Sequence, residues 1–394
     1  MLLSPATTRC SARTLLLSAR LSNLRFSSSA SASSSSSSSS PTATTIASSF
    51  LTRFQSLGPQ TRTQILDSNQ LRLLSLTLNR PSLFPAFPAL STSTTPTPAN
   101  NTPVAEIEIG APVPAGYHLV YFTPAFLESE LGADGTDTSY NPAHPFTRRM
   151  WAGGEVSWPR DKEGRVNPLR VGEKVTETTR VLSAEAKVVK KTGEEMVVVG
   201  VEKEFRNGNG VAVIDRRNWV FRKALPPPLS SSASASAQCL PSPTPSATPA
   251  SSKTFSSSDG QTHTRTLTQT PVTLFRFSAL TFNPHRIHYD HPWTREVEGH
   301  RNVVVHGPLN LISILDLWRD TRRLASTEKG NGEDLDLDLI LPEKISYRAT
   351  SPLYAGDEYS IILKEAGGGG GKKGVVEIIT PVGNVGMKAE ILSV

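Results

Sequence analysis

Five of the chain's eight histidines fall in one stretch of 35 residues, Phe275 to Leu309, which reads FRFSALTFNPHRIHYDHPWTREVEGHRNVVVHGPL. They are His285, His288, His291, His300 and His306. A neutral imidazole near pH 7 can take or give a proton, so this is where proton chemistry on a small molecule would be sought. Within the run Asn283-Pro284-His285-Arg286-Ile287-His288-Tyr289-Asp290, Asn283 could orient a hydroxyl or a water. The plainer alternative is a polar loop whose histidines are solvated or structurally paired. His285, His288 and His291 are spaced by three, and three histidines can hold a catalytic zinc. Pro284 and Pro292 interrupt that segment, so the imidazoles do not converge and no metal is expected.

His306-Gly307-Pro308 opens an apolar run, LNLISILDLWRDTRRLA, with helical spacing of Leu309, Ile312 and Leu315. The first N–H groups of a helix lack internal acceptors and sit at the positive end of its dipole. Gly307 lets another group approach its N–H, and Pro308 suits the first helical turn. That geometry could hold a developing enolate oxygen, or it could be an ordinary helix start with His306 packed beside it. In the first half of the chain, Arg148-Arg149-Met150-Trp151-Ala152-Gly153-Gly154 reads as the counterpart of this helix opening. Its arginines could meet an acidic phosphate, and Trp151 could line a substrate site or simply belong to the core.

The elements that must position these residues are largely β. The chain has 394 residues, enough for two domains, but only 37% are hydrophobic because serine, proline and threonine tracts dilute the rest. Roughly 250–290 ordered residues are expected. The net charge of +6 matches the six arginines that precede the first acid, Asp67, so the remainder is near neutral and no nucleic acid is expected. Both cysteines, Cys10 and Cys239, lie in low-complexity stretches, and no apolar run approaches membrane-span length.

In chain order, residues 1–27, rich in Arg, Ser and Leu without an acid, read as a mitochondrial presequence, which implies the matrix. Residues 28–49 read as a disordered Ser-rich segment, and 50–109 as a helical leader and extended linker. Residues 110–225 read as a first antiparallel domain. Tyr117–Phe122 is its strand-like entry, and three long strands break at residues 191–194 and 207–210. Residues 226–270 read as a disordered linker. Residues 271–394 read as a second domain of a strand (LFRFSALTF), the histidine window, the apolar helix and further strands. The segments PLRVGEKV (168–175) and PLYAGDEY (352–359) match in spacing and hint at an internal repeat.

The pairing of ALTFNPHRIHYD with VEGHRNVVVHGPL resembles the MaoC-like hydratase and dehydratase group of the hotdog superfamily. More closely it resembles the mitochondrial 3-hydroxyacyl-thioester dehydratase type 2 family and its mesaconyl-CoA hydratase relatives, over about residues 115–223 and 272–394. RRMWAGG followed by PLRVGEKV resembles the first half of the same proteins. The resemblance implies an α+β double hotdog, in which two antiparallel sheets each wrap a central helix and the first helix is degenerate. The first hotdog would then be non-catalytic and the second catalytic.

It also implies reversible loss of water from a (3R)-3-hydroxyacyl thioester of acyl-carrier protein or coenzyme A, giving a trans-2-enoyl thioester, in mitochondrial fatty-acid synthesis and without a cofactor. His288 would be the motif histidine, Asn283 its asparagine, and Gly307 the N–H donor to the thioester carbonyl, with His306, Arg148, Arg149 and Trp151 lining the substrate site. The motif departs from the family at one point. Thr281 stands where the acid partner is usual, and two extra residues separate Asn283 from His288. Asp290, His285 or a water held by His288 are then the candidates for the second proton-handling group. Hydration of a short branched enoyl-CoA of mesaconyl or itaconyl type, a non-catalytic acyl-thioester-binding module, and thioester hydrolysis are the competing readings. A homodimer stays open.

Overall fold

The computed structural model describes residues 41–84, 90, 106–190, 192–225, 252–258, 260–327, 336–366 and 373–393; the side chains of 323–327, 339 and 366 are not among them. The expected presequence, residues 1–27, lies outside them. So do most of the Ser-rich segment and the Gly-rich loop at 367–372. Among the described residues no helix is long and apolar enough to cross a membrane.

One helix is buried on every side from Leu309 to Thr321. α4 (Gly307–Thr327) was expected to have an apolar face, yet Leu309, Leu311, Ile312, Ile314, Leu315, Leu317 and Trp318 are all at most 1% exposed. A helix apolar nearly all round must be enclosed. Its polar residues Asn310, Asp316, Arg319 and Asp320 are enclosed with it. Arg319 donates to Asp316 one turn back at 2.5 Å. Asp320 takes both guanidinium arms of Arg80 at 2.7 Å, and Arg265 at 2.8 Å.

Among the described residues the sheet around α4 has eleven antiparallel strands. The first half supplies β1 (Gln60–Ile65), β2 (Arg148–Ser157), β3 (Lys174–Val188), β4 (Glu195–Asn207) and β5 (Gly210–Arg222). The second supplies β6 (Ser252–Ser256), β7 (Thr262–Thr268), β8 (Lys344–Ala349), β9 (Glu358–Ala366), β10 (Lys373–Ile379) and β11 (Val385–Leu392). Their order is β1-β3-β4-β5-β2-β8-β11-β10-β9-β7-β6. This is the double hotdog, with its two sheets joined into one across β2 and β8. The β3–β4 and β4–β5 turns fall where the Gly- and Asn-rich breaks were read.

The internal repeat is structural. Val113 N–H donates to Leu169 C=O and Val305 N–H to Leu353 C=O, both at 2.8 Å. Val171 returns a bond to Ala111 at 2.9 Å, and Ala355 to Val303 at 3.0 Å. Gly172 and Gly356 both take a positive φ (84° and 82°) before the long strands β3 and β9. In this register the counterpart of α4 is the short 3-10 turn Tyr117–Val120. That corrects two expectations. Tyr117–Phe122 is not a strand, and Arg148–Gly154 is not the counterpart of the helix opening but the start of β2. The first central helix has shrunk to one turn.

Other expectations change as well. LFRFSALTF is α3 (Pro271–Leu280), started by the Thr270 side-chain cap and Pro271. The linker read over 226–270 contains β6 and β7 in its last part, because the alternating Thr262–Thr268 segment pairs with β9. The leader is α1 (Ala43–Leu57), which begins inside the segment read as disordered, then β1, which pairs with β3, then α2 (Ser68–Thr77).

The β2–β8 seam is narrow: Gly153–Ser157 pair with Lys344–Arg348. A Cβ on Gly154 would sit 2.0 Å from the Arg216 carbonyl oxygen and 2.8 Å from the Tyr347 hydroxyl. Gly154→Ala is therefore expected to destabilise the protein by about 2–3 kcal/mol in urea unfolding. Gly208→Ala, with nothing near its added Cβ, should stay within about 0.5 kcal/mol. Equal unfolding midpoints for the two variants would contradict the seam's role.

Candidate active site

α3 ends at Thr281, whose hydroxyl donates to the Phe277 carbonyl at 2.7 Å. Phe282 turns the chain with a φ of 48°, and the loop runs into a 3-10 turn, Arg286–His288. This loop is docked on the segment that leads into α4. Val304 N–H donates to the Ile287 carbonyl at 2.8 Å, and His288 Nδ1–H donates to the Val304 carbonyl at 2.7 Å. Because that acceptor fixes the proton on Nδ1, Nε2 is left as the free lone pair of His288.

His288 stacks on His306, with ring centroids 3.5 Å apart and planes 18° from parallel. His306 meets the Ser278 hydroxyl through Nε2 at 2.9 Å, while its Nδ1 is buried without a hydrogen-bond partner. His285 packs edge-on to His288 at 5.3 Å. Three imidazoles crowded together out of water resist protonation. Burial pushes both His285 and His288 down to about 3, with the Arg149 and Arg148 charges adding to the effect on His285 and the neighbouring His285 adding to that on His288. Burial and the same neighbours hold His306 well below the usual histidine range. All three are neutral at pH 7.

Asn283, His285, His288, His306 and Gly307 line one cavity of about 1090 Å³, together with Arg149 and Trp151. The imidazoles of the HRIHYD segment and the start of α4 therefore border a single space. Gly307 is needed there for a reason beyond its N–H: a Cβ would lie 2.2 Å from Trp151 Cε3. Trp151, beside an irregularity in the β2–β5 pairing, stacks on Tyr347 at 4.6 Å and forms the wall over Gly307. Among the described residues nothing accepts the Gly307 N–H.

Three expected members differ from expectation, Asp290 in its placement and Arg148 and Arg149 in their charge. Asp290 accepts from Arg286 Nη2 and Nε at 2.6 and 2.8 Å and from the Trp293 N–H at 3.0 Å. It lines a separate cavity of about 710 Å³, so it does not face the His288 side of the loop. Arg148 and Arg149 are each ion-paired, with Glu298 and Asp137, and Arg149 also lies over the Trp219 ring at 5.0 Å. Neither offers an unneutralised charge to a phosphate.

One residue went unnoticed in the sequence. Asp134, from the first half, is nearly buried and lies 3.8 Å from His285 Nε2. Its carbonyl accepts the Arg286 N–H at 2.8 Å. The next residue, Gly135, takes a φ of 81°, and a Cβ there would sit 2.2 Å from the Pro284 oxygen. The Asp-Gly pair at 134–135 was the readable signal: a turn able to press its backbone against a neighbour.

A histidine held neutral by folding stabilises the native state above its unfolded pKa near 6.5, and that stability is lost as pH falls below 6.5 toward the folded value. For His285 and His288 the loss is about 2 kcal/mol each by pH 5. Melting temperature should therefore drop steeply between pH 6.5 and 5, and less steeply in His288→Gln. A melting curve flat across that range would contradict three buried neutral imidazoles.

The family described as hydroxyacyl-thioester dehydratase type 2 matches residues 116–355. The chain is 30% identical over 236 residues to the mesaconyl-C(4)-CoA hydratase of Chloroflexus aurantiacus, covering 59% of this chain and 71% of that protein. It is 24% identical over 292 residues to the mitochondrial hydroxyacyl-thioester dehydratase type 2 of Schizosaccharomyces pombe, covering 68% and 84%. A solved MaoC-like dehydratase from Phytophthora capsici superposes with a TM-score of 0.47 at 14% identity, over 86% of this chain and 95% of that one. On the extent of the family match and the first of these relatives, the chain belongs to the hydroxyacyl-thioester dehydratase type 2 family of hydro-lyases.

Proposed function

We propose that this protein reversibly dehydrates (3R)-3-hydroxyacyl thioesters to trans-2-enoyl thioesters in mitochondrial fatty-acid synthesis. The observation that carries the reading is the free His288 Nε2 and the open Gly307 N–H on one cavity. The thioester oxygen accepts from Gly307 at the positive end of α4, which stabilises the enolate-like transition state by about 3 kcal/mol. His288 takes the α-proton. The imidazolium so formed passes that proton to the departing β-hydroxyl, which leaves as water. His285, with Asp134 beside it, and Asn283 orient the hydroxyl. Trp151 closes the space over the thioester. The matrix location rests on the acid-free, arginine-bearing leader and on the mitochondrial name of the S. pombe relative.

Hydration of a short branched enoyl-CoA is the second reading, favoured by the C. aurantiacus relative and by the polar side chains Lys203 and Glu177 on the cavity wall. Comparing crotonyl-CoA with mesaconyl-C4-CoA in a spectrophotometric hydration assay separates the two. In either case His288→Ala should lower kcat/KM by roughly 10²–10⁴. Asp290→Asn, altering a side chain turned away from the cavity, should stay within about threefold of wild type, since surface changes of this kind act weakly. Equal rates for wild type and His288→Ala would end the assignment.

A further inference from the structure

Where the first central helix has shrunk, something else lies on the inner face of the first half-sheet. On β4 the residues Val197, Val199, Val201, Lys203 and Phe205 all point to one face, because a strand alternates sides and the pairing with β5 is regular up to Phe205. Lys203 and Phe205 line the cavity that holds His288 and Gly307. Val197, Val199 and Val201, further back on that same face, pack under α1 in a cluster with Phe50 and Phe54. The N-terminal leader helix therefore covers part of the face that its own half's central helix no longer covers.

The boundary between helix and cavity is aromatic. Phe54, in the last turn of α1 and 9% exposed, stacks on Tyr140 at 5.1 Å with the rings 12° from parallel. Tyr140 packs against Trp219 at 5.5 Å. All three line the cavity. Arg53 fixes the helix end, lying over the Phe54 ring at 4.7 Å and donating to the Asn141 carbonyl at 3.3 Å.

We propose that α1 forms the end wall of the acyl pocket and that Phe54 sets the longest acyl chain the enzyme accepts. The proposal rests on the thioester reading above, with the acyl group running from Gly307 into the first half of the molecule. The shrunken helix leaves the volume, and the leader, which lies outside the span matched by the family, limits it.

The test is calorimetric titration of the full chain with non-hydrolysable S-alkyl-CoA thioethers, from butyl to hexadecyl. In wild type, affinity should rise roughly fourfold per methylene up to a ceiling and then fall. Phe54→Ala should move that ceiling up by about two to four methylenes, the space a lost phenyl ring leaves. Phe54→Trp should move it down, which keeps the test in hand should the alanine variant fold poorly. S-butyl-CoA, too short to reach the wall, should bind all three forms within about twofold. The same ceiling in wild type and the folded variants, or no ceiling in wild type, overturns the proposal while leaving the catalytic reading intact. If no thioether binds and crotonyl-CoA is not hydrated, the catalytic reading fails and this inference fails with it.

Discussion

The structure depends on enclosing α4. A helix bearing Asp316, Arg319 and Asp320 cannot enter the interior unless each charge meets its opposite, since stripping water from one ion costs several kcal/mol. Arg319 meets Asp316 within the helix; Arg80 and Arg265 come to Asp320 from segments remote in the chain. Burial works to raise the Asp320 carboxyl, and the hydrogen bonds and charges of Arg80, Arg319 and Arg265 outweigh it and take it down to about 2. The pairing does not make α4 more stable than an apolar helix would be. It does make the leader and β7 obligatory parts of the fold, each tied to one turn of the same helix. With that turn fixed, the opposite end of α4 is fixed too, and Gly307 is held against Trp151.

The halves share a plan and divide the work. The paired bonds at Val113–Leu169 and Val305–Leu353 show the same hairpin-like clasp used twice, once before a single 3-10 turn and once before a 21-residue helix. Gly116 lies at the start of the shrunken turn with a φ of 85°, and its Cβ would meet Leu315 Cδ1 at 2.9 Å. The first half thus ends its helix early by packing its backbone directly on the second half's helix. It gives up a central helix of its own and supplies Trp151, Asp134 and the cavity's far side.

Much of this was legible. The apolar spacing after Pro308, the Gly-rich turns between β3, β4 and β5, and the two PL-x-x-G segments each follow from local chemistry, and local chemistry is what a sequence carries. The histidine window and HGP were recognisable as a pair because both lie in one short stretch. What escaped depended on partners elsewhere. LFRFSALTF alternates like a strand, yet Thr270 and Pro271 are helix-start residues and the segment follows them. β6 and β7 were hidden in Ser/Thr-rich composition, and the pairing of β7 with β9 and of β6 with β7 supplies what their side chains do not announce. Asp134 lies about 150 residues before His285 in the chain. Asp290, two residues after His288, was the nearer guess, but a hydrogen-bonded turn with Arg286 holds it outward.

Thr281, standing where the family resemblance implies an acid, has a physical consequence for how the proposed site would work. Thr281 turns its hydroxyl to the Phe277 carbonyl, so it does not replace a carboxylate even in part. A carboxylate in contact with His288 would favour the imidazolium and make the ring a stronger base. Here His288 has a neutral imidazole stacked on one face and another at its edge, with the Asp134 carboxylate placed beyond that second ring. A full positive charge on His288 would be poorly stabilised and short-lived. In the proposed mechanism the transition state would then lean on the other end of the reaction, where charge gathers on the thioester oxygen beside the N-terminus of α4. In that mechanism the proton that His288 collects would be released to the departing hydroxyl by the same ring, without a second acid.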